Sequence, residues 1–226
     1  MWDIFFISYS ESNCEQNWQQ LCNFHPSAKR LHGIKGIDIA HRTANQLANS
    51  TFFWVIDGDN YLIRPLEYKE IPDVDLLMFK TIDPLCDDTT SLGAPKLWRK
   101  NSFINSDMSR GDFTLFSVKT KRVLDDIFTI AKYNVTPWET WKTSFRHCVK
   151  LMSVILNNDQ RSPNVEKYLI NWRSTKNHNG ENAIWAWRGY VDAEEYVAQH
   201  NPDMTELNRI NDYVWLKNFF NTRWAT

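Results

Sequence analysis

The feature that most constrains the fold is an alternation of strand and helix patterns in the first part of the chain. Short apolar runs at 3–8, 28–32 and 51–56 predict strands, and the last of these is the most apolar. Helical spacing predicts one helix over 14–24 and a second helix that Asp38 caps. Strands that alternate with helices are typical of an open, largely parallel sheet with helices on its faces. Ligands of such sheets bind beyond the carboxyl ends of the strands.

The rest of the chain has a more mixed pattern. Glycine and proline are scattered along it, and neither a linker nor an internal repeat divides it. We therefore expect a single domain over residues 1–226. Its later elements are predicted as strands at 75–82, 93–98 and 113–118, and as helices near 120–132, 137–157 and 204–220.

Composition excludes several classes of protein. The chain is 42% apolar and 23% charged, which excludes disorder as its main state. The net charge of -1 provides no global positive field, so any nucleic-acid contact must be local. The four cysteines form no CxxC pair, which argues against structural zinc. Because the sequence has neither a signal peptide nor an apolar run of about 18 residues, we expect a soluble, cytoplasmic protein without a membrane partner.

The chain contains 11 tryptophans, an unusually large number. One interpretation is that they pack in the core and between helices. The other is that some of them form a surface on which sugar rings or bases stack. The sequence leaves both interpretations open.

Two carboxylates, Asp57 and Asp59, follow the most apolar predicted strand and are separated by Gly58. Like charges at the end of a buried strand repel each other, and a divalent cation such as Mg²⁺ or Mn²⁺ relieves that repulsion. Gly58 would let the backbone turn tightly between them. The alternative is an ordinary Asp-Gly turn without a ligand. The position beside the loop that follows the first strand favours a metal site.

The motif WVIDGDN at 54–60 resembles the DxD motif of the GT-A class of glycosyltransferases. In that class the motif ends a strand of a Rossmann-like half and holds a metal on the diphosphate of a nucleotide-sugar. A narrower resemblance is to small phage-encoded glycosyltransferases, some of which attach sugars to hydroxymethylated pyrimidines in phage DNA. The segments that carry this resemblance are FFISYSESNCEQNWQ, HGIKGIDIAH, FFWVIDGDNYL, GAPKLWRK and NVTPWETWKTSFRHCVKL.

These resemblances imply an α/β fold of the GT-A type, with a mostly parallel mixed sheet flanked by helices. Residues from 1 to about 85 would bind the nucleotide-sugar, and residues from about 86 to 226 would form a more helical acceptor half. The implied cofactor is Mn²⁺ or Mg²⁺, and the implied donor is a nucleotide-sugar, with a UDP-sugar favoured. The favoured acceptor is DNA that contains a modified base such as 5-hydroxymethylcytosine.

Candidate ligand-binding residues follow from this interpretation. The loop after the first strand offers hydroxyls and a carboxylate to a base and ribose, and cationic side chains near residue 40 suit a diphosphate. A third metal ligand is expected late in the chain, where His178 is the best candidate, although a solvated loop histidine is the alternative. The expected donor-binding residues are Ser8, Tyr9, Ser10, Glu11, Lys35, Gly36, His41, Asp57 and Gly58, with Arg42 as a further candidate, and the expected metal ligands are Asp57, Asp59 and His178.

Inverting transfer to a hydroxyl requires a carboxylate that takes the acceptor proton. Among Asp107, Asp112 and Glu139 we favour Asp112, because it lies at a turn before a predicted strand, while Glu139 lies on a predicted helix. Either residue could instead be a helix cap or a surface group, and a retaining mechanism would need no such base. Lys142, Arg146 and Lys150 are spaced by four residues and form one stripe of that helix. The stripe could bind the phosphates of an acceptor DNA or could simply face solvent. Further local positive charge for DNA would come from Lys96, Arg99, Lys100, Lys119, Lys121 and Arg122.

Three other functions remain open at this point. The same donor could be used on a lipid-linked or surface glycan, although the sequence has no basic amphipathic helix for a membrane surface. The chain could also be a noncatalytic module with a glycosyltransferase-like fold, or a nucleotidyltransferase. The last would be favoured by a glycine-rich loop after the first strand, and residues 8–13 contain no glycine.

Overall fold

The computed structural model describes residues 2–86, 88–91, 93–104, 113–153, 155 and 164–224. These residues fall into two compact units, one that runs to Lys132 and one that begins at Tyr133. Among the described residues, no helix is both long enough and apolar enough to cross a bilayer.

The first unit begins with the alternation that the sequence predicts. Its elements are β1 (Asp3–Ser8), α1 (Cys14–Phe24), β2 (Lys29–His32), α2 (Ile37–Leu47) and β3 (Phe52–Asp57). The predicted order and type of these five elements are therefore confirmed. The remaining elements of this unit are β4 (Asn60–Leu62), β5 (Leu76–Asp83), β6 (Asp88–Thr90), β7 (Lys96–Arg99), α3 (Phe113–Phe116) and β8 (Lys121–Ala131).

The strands form one eight-stranded mixed sheet with the order β2-β1-β3-β7-β5-β8-β4, and β6 pairs with β5. Strand β1 is parallel to both β2 and β3, and β5 is parallel to β8. Strand β7 runs antiparallel to β3 and β5, while β4 and β6 run antiparallel to β8 and β5. Five of these strands (β2, β1, β3, β5 and β8) consequently point in the same direction, which confirms a mostly parallel mixed sheet.

Apolar side chains cover both faces of the sheet because successive residues of a strand point to opposite faces. Phe6 packs in one buried cluster with Leu21 of α1. Its neighbour Phe5 packs in a second cluster with Ala44 of α2. Helices therefore flank the sheet on both sides, as expected.

Three of the later predictions differ from the structure. The single helix expected over 204–220 is divided into helices at Met204–Leu207 and Tyr213–Trp224, with a 3-10 turn at Asn208–Asn211. Residues 113–118 were expected to form a strand, but Phe113–Phe116 is a short helix. Residues 120–132 were expected to form a helix, but Lys121–Ala131 is a strand that lies between β5 and β4. Pairing with strands distant in sequence decides this segment, because Leu76 lies beside Lys121 and Asn60 beside Ala131. The sheet consequently extends past residue 85, where the sequence suggested a division of the chain.

The second unit is helical over its described residues. A glycine allows two of its helices to approach closely, because a Cβ at Gly189 would lie 2.7 Å from the carbonyl oxygen of Trp141. Trp141 and Phe145 stack in its core with ring centroids 4.7 Å apart. The helices are α4 (Pro137–Met152), α5 (Asn164–Ser174), α6 (Ala183–His200), α7 (Met204–Leu207) and α8 (Tyr213–Trp224), with 3-10 turns at Thr175–Asn177 and Asn208–Asn211.

The buried tryptophans support the packing interpretation. Trp98 and Trp141 are fully buried, and Trp54 and Trp172 are nearly so. Trp54 contacts Phe79 in the first unit, with ring centroids 4.8 Å apart. These four indoles are therefore part of the core rather than of a stacking surface.

Candidate active site

The paired carboxylates lie at the carboxyl end of β3. Residues 52–56 of this strand are buried, and Asp57 is the first residue of the strand that is partly exposed. Asp57 lies beside Ile7 of the parallel strand β1. The loop that follows β1 and the turn that contains Asp59 are therefore neighbours, as the sequence predicts for an open parallel sheet.

Gly58 is required by a close approach of side chains. A Cβ at this position would lie 2.7 Å from Glu11 Oε2 and 3.0 Å from Ser8 Cβ. The Gly58 carbonyl accepts a hydrogen bond of 2.8 Å from Asn17 Nδ2, and Glu11 Oε2 accepts one of 2.8 Å from the amide of Tyr9. Among the described glycines, Gly58 is not one of those with a positive φ. The backbone does turn at residues 58–59, as expected, and the close approach of Glu11 is a further physical reason for a glycine here.

A buried lysine joins the site from β7. Lys96 Nζ lies 3.0 Å from Asp57 Oδ2 and donates a second hydrogen bond of 3.1 Å to the carbonyl of Ala94. Lys96 is 4% exposed, and its backbone is paired with Val55 of β3. The second carboxylate oxygen, Asp57 Oδ1, is buried without a hydrogen-bond partner. The sequence suggested Lys96 only as part of a local positive charge for DNA, whereas the structure buries it against Asp57. Its place within the apolar run of a predicted strand was a signal for this burial.

The ends of β1 and β2 form a polar group beside this turn. Ser8 is buried, and its Oγ lies 2.9 Å from His32 Nδ1 and accepts a hydrogen bond of 3.1 Å from Arg30 Nε. Tyr9 and Ser10 are exposed at the start of the loop. Arg30 and His32 were not singled out in the sequence, although polar residues at the carboxyl end of a predicted parallel strand point to a ligand crevice.

His41 lies in the core. It is fully buried, its Nδ1 donates a hydrogen bond of 2.8 Å to the carbonyl of Ile37, and its ring contacts Trp98 and Phe113. Burial lowers the pKa of His41 to about 4, and the positive charge of Lys96 acts in the same direction. The ring therefore stays neutral and faces apolar side chains, so this position does not offer the cationic donor that the sequence suggested.

Other expected donor-binding residues lie before and within α2. Lys35 and Gly36 are exposed, and Gly36 immediately precedes the helix with a φ of 101°. Arg42 is half-buried, and it donates a hydrogen bond of 3.3 Å to the carbonyl of Ile104. Lys35 and Gly36 thus keep the exposure that ligand contact requires, whereas Arg42 has an internal partner.

The residues present fit a divalent cation in part. Carboxylate oxygens are ligands that Mg²⁺ and Mn²⁺ prefer, and the buried Asp57 Oδ1 without a partner is suited to a cation. Asp59 Oδ1 accepts a hydrogen bond of 3.0 Å from Asn60 Nδ2. The described residues contain no group of three or more His, Cys, Asp or Glu side chains placed to hold a metal. Asp57 and Asp59 would supply part of the coordination of a cation, and waters or a bound molecule could complete it. His178, whose Nδ1 accepts a hydrogen bond from the Gly180 amide, belongs to the second unit.

Of the three expected catalytic carboxylates, the described part of the chain contains only Glu139. Asp107 and Asp112 lie outside the described residues. Glu139 is nearly buried at the start of α4, where its amide donates a hydrogen bond of 3.2 Å to Thr136 Oγ1. Thr136 Oγ1 in turn lies 2.9 Å from Glu139 Oε2. This reciprocal contact is typical of helix capping, which is the alternative that the sequence left open for Glu139.

The expected acceptor-binding stripe lies on α4. Arg146 donates hydrogen bonds of 2.9 Å to the Ile210 carbonyl and 3.2 Å to Asn211 Oδ1, so it joins α4 to the segment before α8. The Lys142 ammonium lies 5.1 Å from the centre of the Tyr213 ring. Lys150 is partly exposed in the last turn of α4, where a cation interacts favourably with the helix dipole. Arg146 thus has a structural role that the stripe pattern did not predict.

Comparison with known proteins finds no matching family model and no significant match among curated proteins. Among solved structures, the chain is similar to the mannosyltransferase PcManGT from Pyrobaculum calidifontis in complex with GDP-Man and Mn²⁺, with a TM-score of 0.39 and 10% identity over 100% of this chain and 88% of the other. It is also similar to residues 1–349 of S. aureus TarS, with a TM-score of 0.33 and 12% identity over 98% of this chain and 92% of the other. Both similarities span nearly the whole chain at low sequence identity.

Proposed function

We propose that this chain is a metal-dependent glycosyltransferase that moves a sugar from a nucleotide-sugar to a hydroxyl group. The observation that carries the proposal is the position of Asp57 and Asp59. Both follow the buried strand β3, beside the loop after the parallel strand β1, and this is where open α/β sheets bind ligands. The DxD resemblance of residues 54–60 supports the same function.

In this proposal Asp57 and Asp59 hold Mn²⁺ or Mg²⁺, which when bound would neutralise charge on the diphosphate leaving group. The exposed Tyr9 and Ser10 contact the nucleoside, since they lie beyond the end of β1. Glu11 packs against the turn at Gly58 and thereby limits how the loop and the turn can move relative to each other. A UDP-sugar is the favoured donor.

Asp112 is the proposed base of an inverting transfer, with Glu139 as the second candidate. A carboxylate near the acceptor hydroxyl would take its proton, which accelerates transfer by about 10² to 10⁴. The capping contact between Glu139 and Thr136 favours Asp112. NMR of the product tests this step, because retention of the donor's anomeric configuration would contradict a single-base inverting mechanism.

The proposed acceptor is a hydroxymethylated pyrimidine in DNA. Support comes from the resemblance to phage-encoded glycosyltransferases and from the cations Lys142 and Lys150 on α4. A base inside a duplex would have to be flipped out or reached in an opened strand. A surface or lipid-linked glycan is the alternative acceptor.

A turnover screen tests donor and acceptor together. Nucleotide-sugars are incubated with the protein and Mn²⁺, with and without DNA that contains 5-hydroxymethylcytosine, and nucleotide release is measured. We expect release in the wild type, its loss in Asp59→Asn, and its retention in Asp126→Asn, which changes an exposed carboxylate paired with Arg64. Equal release by both variants would contradict the proposed site, and release that DNA does not stimulate would favour the glycan acceptor.

A further inference from the structure

Lys96 is the unusual residue of the candidate site. Lysine is almost never fully buried unless it is paired, and its neighbour Leu97 is completely buried in the sheet. Strand β7 places the lysine side chain between Asp57 Oδ2 and the Ala94 carbonyl, at 3.0 and 3.1 Å. The ammonium group is therefore fixed at the site by the sheet itself.

The fixed ammonium group of Lys96 changes how strongly the site binds cations and anions. Three carboxylates, those of Asp57, Asp59 and Glu11, lie on or against the turn at Gly58. Lys96 offsets part of their negative charge and repels any divalent cation that binds beside Asp57. At a separation of about 5 Å this repulsion weakens binding of a divalent cation about tenfold, even at the dielectric constant of water. The same charge attracts a diphosphate.

We propose that Lys96 is a positioning residue that acts as a built-in counter-ion, disfavouring the free divalent cation and favouring the nucleoside diphosphate. This inference rests on the proposed nucleotide and metal site. According to this inference, the metal ion binds after the nucleotide or together with it, because the negative charge of the diphosphate offsets the positive charge of Lys96. Lys96 also donates its hydrogen bond to Asp57 Oδ2, so that Oδ1 is the carboxylate oxygen without a partner.

Calorimetry of the whole chain separates this role from a structural one. Mn²⁺ is titrated without nucleotide, and UDP is titrated in the presence of a chelator, with GDP in its place if the wild type binds GDP instead. In Lys96→Gln, we expect Mn²⁺ to bind about tenfold more tightly and UDP to bind more weakly than in the wild type. These opposite signs are the signature of a counter-ion, because loss of structure would weaken both.

Three further variants complete the test. Lys96→Arg keeps the charge and should bind both ligands as the wild type does. Lys96→Met repeats the neutral change without a hydrogen-bond donor, so that the result does not depend on how one variant folds. Lys29→Gln is the matched control, since it removes another Lys–Asp pair, with Asp3 at 2.9 Å, from the opposite ends of β1 and β2.

The outcomes distinguish this inference from the proposed function. Unchanged affinities in folded Lys96→Gln and Lys96→Met would overturn the counter-ion role, and so would a parallel loss of affinity for Mn²⁺ and for UDP. In either case the proposed function stays intact if the wild type binds Mn²⁺ together with UDP. Absence of Mn²⁺ binding in the wild type and in every Lys96 variant, with and without nucleotide, would overturn both.

Discussion

The carboxylate of Glu11 occupies the space that a side chain at Gly58 would need. Its Oε2 would lie 2.7 Å from a Cβ there, and the same oxygen accepts the Tyr9 amide hydrogen bond. The loop after β1 and the turn after β3 are therefore closely packed at this carboxylate. A change at Gly58 must act on the loop as well as on the turn.

Gly58→Ala tests this relationship. We expect the variant to lose about 1 to 3 kcal/mol of unfolding free energy, because the new methyl group overpacks the contact with Glu11 and Ser8. Urea denaturation measures the loss. Adding Glu11→Ala should recover part of it, since the closest clashing atoms are then removed. Full stability of Gly58→Ala, or no recovery in the double variant, would contradict the close packing.

Because His41 is buried, we expect the folded protein to lose stability in mild acid. Burial lowers the pKa of His41 in the folded state to about 4, below the usual value of about 6.5, so between these pH values the unfolded chain binds a proton that the folded chain does not. Stability from this group is complete above pH 6.5 and is lost as the pH falls towards 4, by up to about 3 kcal/mol.

Denaturant titrations from pH 7 to pH 4 check this prediction. Burial also lowers the pKa of His25, so the wild type alone does not isolate one group. His41→Phe keeps a ring between Trp98 and Phe113 but cannot titrate, and we expect its profile to be flatter than that of the wild type. Parallel profiles for the two proteins would exclude a neutral, buried His41.

We expect the stability of the second unit to depend on the carboxylate of Asp192. Its Oδ2 accepts hydrogen bonds of 2.7 Å from Trp141 Nε1 and 2.8 Å from Trp224 Nε1, and Arg223 Nε lies 2.9 Å from Oδ1. Asp192→Ala leaves the buried Trp141 Nε1–H without its acceptor, whereas Arg223 is exposed and keeps Glu195 as a partner, so the change should cost about 1 to 3 kcal/mol.

Two comparison variants make the Asp192 result specific. Asp192→Asn retains an oxygen that can accept an indole hydrogen bond, so its cost should be smaller. Glu195→Ala removes the other carboxylate that pairs with Arg223, and we expect little change because Glu195 is exposed. Equal costs for Asp192→Ala and Glu195→Ala in urea denaturation would contradict the buried network.

If DNA is the acceptor, we expect the charges of Lys142 and Lys150 to contribute to the salt dependence of DNA binding. Each phosphate contact contributes about 0.9 to the slope of log affinity against log salt for duplex DNA. We expect the double variant Lys142→Gln/Lys150→Gln to lower this slope by about 1.8, as measured by fluorescence anisotropy. An unchanged slope would place both lysines on a solvated face. Arg146 is left intact because it joins α4 to Ile210.

Local patterns in the sequence were enough to predict β1 to β3 and the place of Asp57 and Asp59. Each of these elements depends on its own apolar spacing, and the carboxyl ends of parallel strands meet at one edge. Strand β8 was mistaken for a helix because its pairing partners lie far away in the sequence. The contact between Lys96 and Asp57 likewise joins residues 39 positions apart, and no local pattern contains it.

The most direct test of the proposed function is calorimetry of UDP binding with Mn²⁺ and, separately, with a chelator. Asp57 and Asp59 repel a diphosphate unless a cation lies between them, so removal of the metal should weaken binding by about tenfold or more. In Asp59→Asn, whose fold is checked by circular dichroism, we expect the difference between Mn²⁺ and chelator to disappear. UDP binding that is equally tight with Mn²⁺ and with chelator in the wild type would contradict a metal-dependent nucleotide site at Asp57 and Asp59.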